Sequence, residues 1–176
     1  MPKPIFKDTT ESMIRVNHAG EYGAMRIYQG QLDATKDPKT KELITHMMEQ
    51  ELAHLRYFEE EMKLRKVRPT ILLPVWHYAS YALGFATSLL GKQAAMLCTQ
   101  AVEEVIDNHY TEQIQALRCN KDESSLLTKI EEYRLEELEH KEIAIDHGSK
   151  NTPLYALLHG AIGLICKVAI NISKKA

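Results

Sequence analysis

With 176 residues the chain is long enough to bury a sizeable core, and no glycine- or serine-rich linker divides it, so residues 1–176 read as one domain. Its 22 basic residues against 24 acidic ones leave a formal charge of −2, which gives no general attraction to nucleic acid. The three cysteines, Cys98, Cys119 and Cys166, lie far apart without a Cys-x-x-Cys, so the expected setting is a reducing, intracellular one rather than a disulfide-stapled fold.

Residues 1–7 are too few and too broken by proline to serve as a signal or transit peptide. Asp8, Thr9, Thr10 and Glu11 then offer an N-cap with a glutamate three residues on, and the helix they open extends to about Ala34. Ile14, His18, Glu21, Met25, Tyr28 and Leu32 recur at helical spacing and trace one mainly apolar face, with Glu21 at its middle. Taken alone, Glu21 could be a carboxylate at the stripe's edge reaching water. Gly20 and Gly23 beside it weaken a helix by up to about 1 kcal/mol each, so a reason in packing or close approach is expected.

Asp37-Pro38 is a strong helix start, aspartate capping and proline in the first turn, and the second helix runs to about Leu64. Leu43, Met47, Glu51, His54, Phe58 and Met62 share a stripe, so Glu51 and His54 replace apolar residues on a core face. Pro69 and Pro74 then bracket a short link. Residues 75–90 carry no formal charge but make only about three-quarters of a bilayer-spanning helix, and are expected to lie against a membrane or be buried. Beyond Gly91 the chain continues as a helix with Met96, Thr99, Glu103, Ile106 and Tyr110 on one face, which selects Glu103 rather than Glu104.

The polar residues 119–124 form a loop, with Asp122 or Ser124 capping the next helix. There Ile130, Tyr133, Glu137, His140, Ala144 and His147 share a face, while Lys129, Glu132, Glu136 and Glu139 share another. Periodicity therefore selects Glu137 from a run of four acids, and replacing Glu136 is expected to be nearly neutral. Gly148 is placed to end this helix, and Thr152-Pro153 to open a last one that is almost wholly apolar before Lys167, Lys174 and Lys175. Basic groups there suit lipid headgroups; a dimer interface or ordinary packing is the alternative.

The selected residues form a duplicated unit, a lone glutamate followed about thirty residues on by Glu-x-x-His: Glu21 with Glu51 and His54, then Glu103 with Glu137 and His140. Residues at i and i+3 share a helix face, so each pair can aim two donors at one point. Four carboxylates and two imidazoles are the ligand set of a carboxylate-bridged di-iron or di-manganese centre in a ferritin-like four-helix bundle, the all-α fold expected here with additional apolar membrane-associated helices. Glu21, Glu51, Glu103 and Glu137 are also the catalytic candidates, since carboxylates can change binding mode as iron changes valence. Ligand count alone does not choose among ferroxidase, peroxide reductase and oxygenase.

Longer motifs narrow this. Residues 15–24, RVNHAGEYGA, with IYQGQ at 27–31, CTQAVEE at 98–104 with His109-Tyr110, and EELEH at 136–140 with Asp146-His147 resemble the di-iron 5-demethoxyubiquinone hydroxylases of coenzyme Q biosynthesis. The likeness covers almost the whole chain, and the family's metal ligands fall on the same six residues. Asn108 departs from members with a second histidine before His109, and the targeting extension of mitochondrial members is missing. The resemblance implies a monooxygenase with two Fe ions and O₂ as co-substrate, adding a hydroxyl to the ring of demethoxyubiquinol. It also implies a ubiquinone-type lipid substrate and a peripheral place on the cytoplasmic face of a bacterial inner membrane, with no nucleic acid partner. The reductant and oligomeric state stay open, and no Gly-x-Gly-x-x-Gly is present to hold a nucleotide. His18, Tyr22, His109, Tyr110, Asp146 and His147 are candidates to support the ligands or line the substrate pocket. The alternatives are a ferritin-like iron-oxidising or iron-binding protein without an organic substrate, a di-iron hydroxylase of tRNA, and a metal-free helical scaffold.

Overall fold

The computed structural model describes residues 9–175, which contain six α-helices and no strand. They are α1 (Thr10–Ala34), α2 (Pro38–Arg65), α3 (Leu73–Leu89), α4 (Lys92–Leu117), α5 (Ser124–Asp146) and α6 (Tyr155–Ser173), with short 3₁₀ turns at Lys121–Glu123 and Ser149–Asn151. The chain builds the same three-helix unit twice. α1 and α2 form an antiparallel hairpin, as do α4 and α5; α1 meets α4 and α2 meets α5, closing a four-helix bundle. α3 lies on the outside of α1, and α6 on the outside of α4.

Local chemistry sets the boundaries. Asp37 caps α2 as its spacing requires, accepting from the Thr40 amide at 2.9 Å with Pro38 in the first turn. At α1 the cap is Thr9, whose hydroxyl accepts from Ser12 N at 3.2 Å; Asp8, the other expected cap, lies outside the described residues. Gly91, at φ 109°, separates α3 from α4, so the two apolar stretches do not run on as one helix. Neither Asp122 nor Ser124 caps α5. Asn120 caps the preceding 3₁₀ turn, which feeds directly into the helix. Gly148, at φ 91°, follows the end of α5 as expected. Thr152-Pro153 does not open α6, which starts at Tyr155; the Thr152 hydroxyl instead ties this turn to α4 by donating to Gln93 O at 2.9 Å.

α1 is buried on more than the one expected face, because α3 covers what a bare four-helix bundle leaves to solvent. The close approach that makes this possible is at Gly30 and Gly84. A Cβ on Gly84 would stand 2.0 Å from Ile27 O, and one on Gly30 2.2 Å from Tyr81 O. Gly20, for which a packing reason was expected, has nothing within 4 Å of that position; Gly23 meets only Ser80 Oγ at 3.3 Å. Two apolar clusters fill the bundle. One contains Ile14, Phe58, Tyr110, Ile130 and Tyr133, and the other Tyr28, Ile44, Met47, Met96 and Ala144. On α2 and α5 the polar residues singled out above fall between the stretches feeding these two clusters, while on α1 and α4 Glu21 and Glu103 are flanked on both sides by the first cluster, through Ile14 and Ile27 and through Val102 and Ile106. The polar layer is thus enclosed above and below by hydrocarbon.

Candidate metal centre

The helical period carries Glu21 on α1, Glu51 and His54 on α2, Glu103 on α4, and Glu137 and His140 on α5 into this layer, and all six are at most 1 % exposed. They converge as two groups. Glu21, Glu51, His54 and Glu137 offer donor atoms within 4.8 Å of one another, and so do Glu51, Glu103, Glu137 and His140. Glu51 and Glu137 belong to both groups. The geometry is therefore two positions sharing two carboxylates, with Glu21 and His54 at one end and Glu103 and His140 at the other.

Both imidazoles turn Nδ1 inward. His54 Nδ1 lies 3.3 Å from Glu137 and 3.6 Å from Glu21, and His140 Nδ1 lies 3.3 Å from both Glu51 and Glu137. Eight donor atoms in the layer have no hydrogen-bond partner: both oxygens of Glu51 and Glu137, one oxygen each of Glu21 and Glu103, and both Nδ1 atoms. Each such buried orphan costs about 1–3 kcal/mol, more when charged. Two cations coordinated by oxygen and imidazole satisfy all eight, so the residues fit a binuclear centre.

Electrostatics give the same result. Burial, and then Glu137, drives Glu51 and Glu103 well above the usual carboxylate range. Burial also opposes ionisation of Glu137, but His140 and His54 outweigh it and hold this carboxyl down at about 2. Burial opposes the charge on His54; Glu137 and Glu21 overcome it and push the imidazole up to about 12. Protons balance charge among these groups, and divalent cations compete for the same lone pairs.

A ring of hydrogen bonds holds the six in place, and it repeats the duplication. Tyr28 on α1 donates to Glu103 Oε1 on α4 at 2.8 Å, and Tyr110 on α4 donates to Glu21 Oε1 on α1. Each tyrosine stands seven residues after one lone glutamate and serves the other. His54 Nε2 lies 2.8 Å from Glu136 Oε2, and His140 Nε2 lies 2.9 Å from Gln50 Oε1. Glu136 is therefore no detached surface acid: its side chain is 30 % exposed yet reaches His54 of the buried layer. Tyr133 packs its ring on His54 at 4.0 Å between centroids. Tyr28, Gln50 and Glu136 were missed as functional residues. The findable signals were the repeated seven-residue interval and the repeated polar residue before each Glu-x-x-His.

The other supporting candidates divide. His18 is buried one turn before Glu21, its Nδ1 unpartnered, and burial lowers its pKa against the pull of Glu59 and Glu21. His109 is buried and meets Gln113 at 2.7 Å, and Gln113 exchanges two 2.8 Å amide hydrogen bonds with Asn17 of α1. Tyr22 faces α3, its hydroxyl 2.6 Å from His77 Nδ1. Asp146 and His147 do not belong to the site. They are exposed where α5 ends, and His147 meets Lys92 at 3.4 Å.

Beside the layer is an apolar cavity between α1, α3, α4 and α6. Gly20 and Val102, the neighbours of Glu21 and Glu103 in the chain, line it together with Gly23, Ile106, Trp76 and Ile170. Trp76 Nε1 donates to Ser173 Oγ at 3.1 Å, joining the start of α3 to the end of α6 at its edge. The outer surfaces of these helices are apolar: Val75 and Tyr78 on α3, and Leu157, Leu164, Ile165 and Val168 on α6, are exposed. Among the described residues α6 is the one helix long and apolar enough to cross a membrane.

Residues 8–173 match the family described as Ubiquinone biosynthesis protein COQ7. The chain is 44% identical over 173 residues to the mitochondrial NADPH-dependent 3-demethoxyubiquinone 3-hydroxylase of Homo sapiens, covering 97% of this chain and 80% of that protein. It is 43% identical over 166 residues to the 3-demethoxyubiquinol 3-hydroxylase of Rhodospirillum rubrum, covering 94% and 77%. With the mitochondrial 5-demethoxyubiquinone hydroxylase of Saccharomyces cerevisiae the identity is 37% over 175 residues, covering 91% and 75%.

Proposed function

The chain belongs to the ubiquinone biosynthesis protein COQ7 family, and we propose that it hydroxylates the ring of a demethoxyubiquinol with O₂. In this reading Glu21, Glu51, His54, Glu103, Glu137 and His140 hold two iron ions. The observation that carries it is the pair of overlapping donor groups sharing Glu51 and Glu137. When bound, ferrous iron supplies the electrons and open coordination positions with which O₂ is activated.

The chain's own residues do the rest. Glu51 and Glu137 span both positions, while Tyr28 and Tyr110 keep one oxygen of each terminal glutamate occupied and aim the other inward. Glu136 and Gln50 hold the imidazoles by Nε2, so that Nδ1 offers its lone pair. The apolar cavity suits a quinol ring and the start of an isoprenoid tail, and its walls keep water from the reacting groups. Its placement between two helices with apolar outer surfaces lets a substrate enter from a lipid layer without crossing water. We read α3 and α6 as docking the bundle peripherally, since α6 still rests one side on α4. An iron-oxidising protein without an organic substrate has no use for such a cavity. In this reading the electrons come from the quinol itself or from a nicotinamide nucleotide, the donor that the human relative's name gives for that protein.

The test is the quinone content of cells lacking this protein. Demethoxyubiquinone accumulates and is cleared by the wild-type chain but not by Glu137→Ala. An unchanged quinone profile rejects the assignment.

A further inference from the structure

The ring of hydrogen bonds around the centre repeats in every position but one. In both halves the residue just before the glutamate of Glu-x-x-His reaches across to the histidine of the opposite half: Gln50 of α2 to His140 on α5, and Glu136 of α5 to His54 on α2. The places correspond; the charges do not. With Nδ1 turned to the centre, each Nε2 carries a hydrogen and donates it outward, to an amide oxygen at 2.9 Å on one side and to a carboxylate oxygen at 2.8 Å on the other. A carboxylate acceptor draws on that hydrogen more strongly and leaves more electron density on the far nitrogen, so the imidazole becomes the better metal ligand.

We propose that Glu136 is a positioning residue that makes the two metal positions unequal, so that the position of Glu21 and His54 takes up a divalent cation before the position of Glu103 and His140. The inference rests on the binuclear reading above. It adds a filling order and a residue that sets it, and it reverses the expectation that replacing Glu136 is neutral. Because Glu136 keeps contact with solvent while Glu137 and His140 do not, its charge acts through His54 and not as a ligand.

The test uses the full metal-free chain titrated with Co(II) by calorimetry. Proton NMR follows the hyperfine-shifted, exchangeable imidazole N–H resonances at one and two equivalents. The wild type takes up two equivalents in two steps, and the first shifted N–H is that of His54. Glu136→Gln keeps the shape and removes the charge; it weakens the first step about tenfold, the lower end for outer-sphere partners because this one is partly solvated, and leaves the second unchanged. Gln50→Glu tightens the second step by a similar factor, which keeps the test decisive if Glu136→Gln is unstable. Exchanging the two residues in one chain reverses the order, and the first shifted N–H becomes that of His140. Two equivalents bound with both steps equally affected by Glu136→Gln, or neither, overturn the inference and leave the binuclear reading standing. Fewer than two equivalents in the wild type overturn both.

Discussion

Gly84→Ala should loosen the α1–α3 crossing and leave the metal centre intact. The added methyl would stand 2.0 Å from Ile27 O and 2.9 Å from Ile27 Cα, both backbone atoms that no rotamer change can move aside. Relief to the 3.4 Å of ordinary contact requires the helices to part by about 1.4 Å along that line. α3 is the one that yields: Gly84 and Ser88 are its only buried residues, whereas α1 is wedged into the bundle by twelve. Overpacking of this kind costs about 1–3 kcal/mol, and for a chain of this length the melting temperature falls by roughly 2–4 °C per kcal/mol. The assay is thermal unfolding, alongside Co(II) stoichiometry and quinol turnover. The expected result is a melting temperature lower by roughly 2–12 °C, two equivalents of metal, and a raised KM, because the same displacement moves Ser80 and Trp76 in the cavity wall. Gly20→Ala is the control. Nothing lies within 4 Å of its Cβ, so it gains up to about 1 kcal/mol of helix propensity. Equal melting temperatures for Gly84→Ala and the wild type would refute the close crossing.

Tyr28→Phe and Tyr110→Phe each remove one donor from a buried glutamate and should lower stability by about 1–3 kcal/mol, by similar amounts, in urea unfolding of the metal-free chain. A large effect from only one would contradict the paired arrangement. Leu157→Asp with Leu164→Asp should lower co-sedimentation with lipid vesicles by tenfold or more, about 1.5–3 kcal/mol per leucine withdrawn from the lipid layer, without changing metal content. Unchanged sedimentation removes α6 from the docking surface. Arg65 grips both oxygens of Glu123 at 2.8 Å and holds its carboxyl below the usual range. A depressed folded pKa gives stability that is present above the unfolded value of about 4.3 and lost as pH falls through the folded one. Between about pH 5 and 3 the wild type should therefore lose stability more steeply than Glu123→Gln; parallel slopes would show the pair to be inert.

Periodicity made the six converging residues legible because each occupies the centre of an apolar stripe, where burial is forced by its neighbours whatever the partner helix. It discriminated well between adjacent acids, with Glu103 inside and Glu104 at the edge near His159. The same reasoning did not anticipate the contact of Glu136 with His54, for a physical reason. A stripe one position round from the core faces the seam between two helices, and only the placement of α2 against α5 puts His54 within 2.8 Å of it. Tyr28 was legible as a buried ring and not as a donor, since its hydroxyl acquires a role only once Glu103 stands opposite. His147 looked buried because its stripe was extended past the point where α5 ends, at Asp146, two residues before the left-handed Gly148.

Duplication explains why neither half of the chain can form the centre alone. Each group of four draws on both halves, with Glu137 completing the group of Glu21 and His54, and Glu51 completing that of Glu103 and His140. The supporting hydrogen bonds also cross from one half to the other. A local displacement in either half therefore disturbs both positions, which ties the stability of the bundle to the geometry of the site. Departures from the two-fold pattern stand out against this background. Glu136 beside His54, where the other half has Gln50 beside His140, makes the ends of the centre chemically different, and the apolar cavity on the α3–α6 side gives a substrate one side from which to approach. A reaction that delivers one oxygen atom to one ring uses an approach from one side, which a symmetric iron store does not need.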